Sequence, residues 1–203
     1  MPSLYLIRHG RTAWNADRRI QGHLDVPLDD EGRRQAEALA AALADVPLKA
    51  LYASPLQRAV ETAAAIAALH DGLPLQLDQR LMERHWGAYE GLRREDAAQA
   101  HVAAERELRG DPVHASAPGG ESFLELHTRV GAALRDIAAK ESGRVAIVCH
   151  GGTIVAGLMG LLGIEGWPRV RFVIENASVT LLDVARDGGV VTHYVNRRDH
   201  LAQ

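Results

Sequence analysis

The stretch Leu4-Tyr5-Leu6-Ile7-Arg8-His9-Gly10 decides how this chain is read. Its apolar run predicts a buried strand. The run stops abruptly at an arginine and a histidine, and Gly10 lets the backbone turn there. A strand built only for packing would not deliver two basic groups to the end of a sheet. His9 is therefore the first residue to follow.

Working outward, strand-like apolar runs recur at Tyr5–Ile7, Ala50–Ala53, Val145–Val148, Val179–Val184 and Val190–Tyr194. Helical spacing fills the gaps between the first three. Ala36, Leu39, Ala40 and Leu43 share one helix face after Asp29-Asp30, and Ala59, Thr62, Ala63 and Ile66 share another after Ser54-Pro55. Phe123, Leu126, Val130, Ala133 and Ile137 mark a third amphipathic helix. Strands alternating with helices predict an α/β fold: a three-layer sandwich with a mostly parallel sheet and helices on both faces. Arg186-Asp187-Gly188-Gly189 reads as a hairpin turn, so one antiparallel strand should finish the sheet. The length of 203 residues suits one domain over 1–203. Within it the charged, weakly periodic segment 92–120 is expected to be a surface excursion or lid.

Composition narrows the function. Hydrophobic residues make up 47% and charged residues 24%, the balance of a folded globular protein. A net charge of −3, no basic tail and 4% aromatics argue against a nucleic-acid partner. The single cysteine, Cys149, rules out an intrachain disulfide and a cysteine-based zinc site, and it fits a reducing compartment. The start of the chain lacks signal-peptide form. Val145 to Ile164 spans about twenty residues with almost no charge, but His150-Gly151-Gly152-Thr153 interrupts it, so strand, turn and helix explain it better than a membrane span. A soluble, cytoplasmic protein with no membrane partner is expected.

Three strand-to-helix junctions break local rules. The first is Arg8-His9-Gly10. In the second, Ser54 suits an N-cap and Pro55 the first helical position, which puts Arg58 in the first turn. The third is Cys149-His150-Gly151-Gly152. A helix N-terminus already carries partial positive charge, so added cations are unfavourable there. Each residue alone has an ordinary reading: His9 as a structural strand-end residue, Arg58 as a surface side chain, His150 as a cap for its glycine turn. Together they point to a shared anion beyond the strand ends, with phosphate the leading candidate because guanidinium groups grip it bidentately.

At this point the chain resembles the histidine phosphatase, or phosphoglycerate-mutase-like, superfamily. The matching residues are Arg8-His9-Gly10 with Thr12, Trp14 and Asn15, then Gln21-Gly22, Asp25-Val26-Pro27-Leu28, Gly32 and Gln35-Ala36. Ser54-Pro55-Leu56-Gln57-Arg58-Ala59, Glu61-Thr62, Met82-Glu83-Arg84, Gly87 and Glu90-Gly91 follow in the family's order. Gly120-Glu121-Ser122, His150-Gly151-Gly152 and Asn176-Ala177-Ser178 complete the series. Arg-His-Gly alone is a weak signal; the ordered series is a strong one.

The resemblance implies that His9 is a nucleophile forming a phosphohistidine, with Arg8, Arg58 and His150 holding the phosphoryl oxygens. It implies Glu83 as the proton donor, polar contacts from Asn15 and Gln21, and a helix N-terminal donor at Gly151. Arg84 could hold a substrate carboxylate. No metal and no cofactor are expected, and the partner is a small-molecule phosphate ester. Oligomeric state is left open, a dimer included.

A phosphatase is favoured over a cofactor-dependent mutase. The excursion is short, the chain stops soon after Asn196, and Gln21-Gly22-His23 resembles the phosphatases. Glu83-Arg84-His85-Trp86-Gly87 is closer to mutase wording, and Arg11 replaces the Glu or Gln common after Arg-His-Gly. A non-catalytic phosphate-binding protein is the remaining alternative on this fold, weakened by the presence of His9, Arg58 and Glu83 together. A dinucleotide-binding enzyme lacks its G-x-G-x-x-G, and a phosphate-loop NTPase its Gly-Lys-Ser/Thr.

Overall fold

Strands β1 (Ser3–Arg8), β2 (Leu48–Ala53), β3 (Leu75–Leu77), β4 (Arg144–Cys149), β5 (Val179–Val184) and β6 (Val190–Arg197) form one sheet in the order β3-β2-β4-β1-β5-β6. These elements come from a computed structural model, which describes residues 1–107, 113–164 and 172–201. β1, β4, β2 and β3 are mutually parallel, with Arg8 opposite Cys149. β5 runs antiparallel to β1, and the hairpin then returns the chain as β6. The reversed strand is thus β5, one place in from the edge, and the edge strand β6 runs with the rest.

Strand alternation divides the core between the two faces. Leu4, Leu6, Val145, Ile147 and Leu182 face helices α5 (Phe123–Lys140) and α6 (Gly151–Leu161). Tyr5, Ile7, Leu51, Ala146 and Val148 face α2 (Asp30–Leu43) and α3 (Gln57–Ala67). Each fully buried leucine or isoleucine in these layers stabilises the fold by about 1.5–3 kcal/mol relative to exposure. The three periodic sets read from sequence are the buried faces of α2, α3 and α5. The segment from Val145 to Ile164 is β4 followed by α6, and no helix among the described residues is long and apolar enough to cross a membrane.

One local expectation is corrected, and two elements were not read from the sequence. α3 begins at Gln57 rather than Pro55: the Ser54 hydroxyl accepts the Leu56 N–H at 3.3 Å, while Asp25 accepts the Gln57 N–H at 2.6 Å. β3 went unread because three residues carry no detectable period. Within the charged segment 92–120, Arg94–Glu107 form helix α4, after the short α1 (Ala13–Ala16) far upstream. Ala97 of α4 packs with Tyr89 and Ala117. Residues 108–112 of that segment lie outside the described residues.

The order of the strands creates a crevice. β1 leads to α2 on one face, whereas its neighbour β4 leads to α6 on the other. Adjacent parallel strands whose connections leave to opposite faces open a binding site beyond their C-terminal ends. His9 and His150 are the residues immediately after those two strands.

Candidate active site

A cavity of about 620 Å³ opens at that crevice, within the range that holds small molecules. Arg8, His9, Asn15, Gln21, Arg58, Glu83, Arg84 and Gly151 all line it. Residues from four separate stretches of sequence thus meet at one place. Its remaining wall is largely apolar, with Ile20, Trp86, Phe123, Val155 and Phe172 prominent.

His9 is held from both sides of its backbone. Its N–H donates to Cys149 O at 3.0 Å, and its carbonyl accepts from Ala177 N and from Asn176 Nδ2, each at 3.1 Å. The ring Nδ1 lies 2.7 Å from Gly10 O. A carbonyl oxygen can only accept, so the proton sits on Nδ1 and Nε2 keeps its lone pair. Burial first, then the Arg58 and Arg8 cations, push the imidazole pKa well below its usual value; the Gly10 carbonyl opposes them. The ring is therefore neutral near neutral pH, as a nucleophile must be.

Arg58 is a buried cation and Arg8 a half-buried one. Arg58, only 1% exposed, donates from Nη1 to Leu24 O at 2.9 Å and from Nη2 to Gly22 O at 2.8 Å. Arg8 donates from Nη1 to Ile174 O at 2.6 Å. Burial brings both guanidinium pKa values down to about 10, opposed by the Glu83 carboxylate. They remain charged at neutral pH. Arg8 Nε is buried without an acceptor among the described residues, a situation that costs about 1–3 kcal/mol and that an anion in the cavity would relieve.

His150 departs from expectation. It is wholly buried and lies behind the cavity rather than on its wall. Its Nδ1 accepts from Arg58 Nε at 3.2 Å, so the remaining ring nitrogen, Nε2, donates to Ser54 Oγ at 2.8 Å. Both ring nitrogens are committed, and its centroid is 5.1 Å from that of His9. Through these bonds it orients the Arg58 guanidinium. It occupies the N-cap position of α6 without a side-chain capping bond.

Glu83 is seated by backbone donors. Its Oε1 accepts from Arg84 N at 2.8 Å and its Oε2 from Gly152 N at 3.0 Å. A Cβ at position 152 would collide with Oε1, so any side chain there would push the carboxylate out of this seat. The segment carrying Glu83 is clamped by Arg129 of α5. That guanidinium donates to the carbonyls of Arg80 and Met82, both at 2.9 Å, and of Glu83 at 2.8 Å, and pairs with the Glu121 carboxylate at 2.6 Å.

The other expected contacts divide. Asn15 and Gln21 line the cavity with their amide oxygens already occupied: Asn15 Oδ1 accepts from Thr12 N at 3.2 Å and Asn176 Nδ2 at 3.1 Å, and Gln21 Oε1 accepts from Thr12 Oγ1 at 3.0 Å, which leaves the NH2 groups as donors. Gly151 is the first residue of α6, where the N–H has no intrahelical acceptor. Arg84, by contrast, donates to Glu121 O at 2.8 Å and Ala115 O at 2.7 Å and lies over the Trp86 ring. It tethers the 115–121 segment while also lining the cavity. Arg11 does not line the cavity; it pairs with Asp29 at 2.8 Å.

A sequence model of the histidine phosphatase superfamily (branch 1) matches residues 4–197. The chain belongs to this superfamily. Phosphoglycerate mutase-like protein 4 of Arabidopsis thaliana is 41% identical over 154 residues, covering 74% of this chain and 67% of that protein. A probable phosphoglycerate mutase of Escherichia coli is 34% identical over 184 residues, covering 90% and 85%. Among solved structures, a phosphoserine phosphatase of Entamoeba histolytica superposes with a TM-score of 0.87 at 28% identity, covering 99% and 100%. A mycobacterial glucosyl-3-phosphoglycerate phosphatase gives 0.84 at 31% identity, covering 96% and 98%. The histidine phosphatase fold of this chain thus has relatives named for both reactions.

Sequence reasoning missed Arg129, Arg19 and Arg94. Arg19 and Arg94 line the cavity, and Arg94 is near enough to lower the pKa of Arg8. Arg129 sits among the polar positions of an amphipathic helix and shows no local signal; only its partners identify it.

Proposed function

We propose that this superfamily member is a phosphomonoester hydrolase acting on small phosphorylated metabolites through a phosphohistidine at His9. One observation carries the reading: a neutral His9 with its proton fixed on Nδ1 by Gly10 O stands in a cavity with Arg8, Arg58 and Glu83. A binding protein needs the arginines; it does not need a tautomer-fixed nucleophile beside a carboxyl group.

The chemistry follows from the donors. Arg8 and Arg58, with the Asn15 and Gln21 amides, hold the phosphoryl oxygens and supply the positive charge that stabilises the transition state. The His9 Nε2 lone pair forms the N–P bond as the ester P–O bond breaks, and Glu83 in its acid form gives its proton to the leaving oxygen. The ring then carries a positive charge, which the Nδ1–H bond to Gly10 O stabilises. In the second half a water oxygen attacks phosphorus, its proton returns to Glu83, and the N–P bond breaks. Phosphate leaves and both residues are restored.

Hydrolysis is favoured over mutase chemistry because the cavity wall includes exposed groups, among them Val173 at 67% exposure, so water has access. The mutase reading is the alternative, supported by the names of the two sequence relatives. A panel of phosphorylated metabolites decides between them, including 3-phosphoglycerate with and without 2,3-bisphosphoglycerate. Release of inorganic phosphate supports the hydrolase. Rapid isomerisation with little phosphate released would replace it with the mutase.

A further inference from the structure

The turn at Gln21-Gly22-His23-Leu24 links the two halves of the site. Arg58 grips its backbone through the Gly22 and Leu24 carbonyls, at 2.8 and 2.9 Å. From the same turn His23 reaches the proton-donor segment, with Nε2 2.8 Å from Glu83 O. That oxygen only accepts, so His23 Nε2 carries a hydrogen.

The rest of His23 is also fixed. Its ring stacks on His85 with centroids 4.5 Å apart, and its backbone N–H donates to Glu90 Oε1 at 2.9 Å. The same Glu90 oxygen accepts the Trp86 N–H at 3.0 Å, so one carboxylate ties the turn to the chain just beyond Glu83. Gly22, with φ +52°, leaves room for that carboxylate, and a Cβ there would collide with it. Burial holds the His23 pKa below its usual value, and a neutral imidazole still donates from Nε2.

We propose that His23 is a positioning residue for Glu83: its Nε2–H sets the Glu83 backbone relative to Arg58, so that a phosphoryl group seated on Arg58 meets the carboxyl at its leaving oxygen. This rests on the reading of Glu83 as proton donor. Arg129 grips the same carbonyl, but it anchors the segment to α5 and Glu121. His23 instead ties it to the turn that Arg58 holds.

The test uses leaving groups. 4-Nitrophenyl phosphate departs as a stabilised phenolate and needs little proton help, whereas ethyl phosphate departs as an alkoxide and depends on the donor. The readout is kcat/KM, which covers steps only through P–O cleavage and so ignores the later hydrolysis of phosphohistidine. His23→Phe keeps an aromatic ring against His85 and removes the donor; His23→Gln keeps an N–H at similar reach. The ethyl-to-nitrophenyl ratio of kcat/KM should fall about tenfold or more in His23→Phe and return to within about threefold of the parent in His23→Gln. Parallel losses on both substrates, no loss at all, or a Gln variant as impaired as the Phe variant would overturn the proposal. Glu83→Gln is measured alongside. If it leaves the ratio unchanged, the reading of Glu83 fails; if it lowers the ratio while His23→Phe does not, only the positioning role fails.

Discussion

The Glu83 carboxylate accepts a 3.0 Å hydrogen bond from the backbone N–H of Gly152, the second residue of α6. A helix N-terminal donor that could have faced phosphate is spent on holding the proton donor in place. A Cβ at 152 would meet the Glu83 carboxyl group and would displace it. Gly152→Ala should therefore lower kcat on an alkyl phosphate by about 10²–10⁴-fold, the usual worth of a general acid. Alanine is a better helix former than glycine, so thermal unfolding should report little loss of stability from the backbone itself.

Arg58 is a fork rather than a point charge. Its Nη1 and Nη2 hold two carbonyls of the 22–24 turn, and its Nε orients on His150. Lysine keeps the charge but cannot make these three bonds together. Arg58→Lys should lower kcat/KM by at least about 10²-fold, as loss of a transition-state donor does in other sites. Steady-state kinetics with a generic monoester checks this.

Arg129 bridges α5 to the backbone of 80–83 and to Glu121. Arg129→Ala should destabilise the fold by about 2–4 kcal/mol, because partly buried carbonyls and a carboxylate lose charged donors together. Denaturant unfolding gives the stability, and the same variant should lose activity through displacement of Glu83.

His9 and His150 provide a pH prediction. Burial, reinforced by Arg58, holds both folded-state pKa values well below 6.5. The unfolded chain takes up protons near that value while the folded chain does not. Their contribution to stability is thus fully present above about pH 6.5 and is lost as pH falls below it, until the depressed folded-state values are reached. The loss is at most about 1.4 kcal/mol per pH unit for each histidine. Denaturant midpoints at a series of pH values measure it. The same depression keeps His9 unprotonated in mild acid, so the rate of phosphohistidine formation should show no drop at the ordinary histidine pKa.

How much of this was legible in the sequence depended on whether a residue's role is local. β1, β4 and α6 were readable because apolar runs end in residues that packing does not explain. α4 was not, because its polar residues hide any apolar stripe. The cavity residues His9, Arg58 and Glu83 could be named in advance, yet the partners that hold them could not. That Arg84 meets the carbonyls of Ala115 and Glu121, or that His150 faces Arg58 and Ser54, depends on contacts across 31 to 96 residues of chain. Ser54 shows the limit most simply: it looks like the helix cap, but its hydroxyl serves the Leu56 N–H ahead of the helix and also meets His150.

The central claim is that His9 Nε2 carries the phosphoryl group during turnover. Rapid mixing with a phosphomonoester, quenching in base to preserve phosphohistidine, and peptide mapping by mass spectrometry tests it most directly. Phosphate on His9, formed at least as fast as steady-state turnover and absent from His9→Ala, is the predicted result. Phosphate on another residue, or undiminished turnover in His9→Ala, would contradict the account.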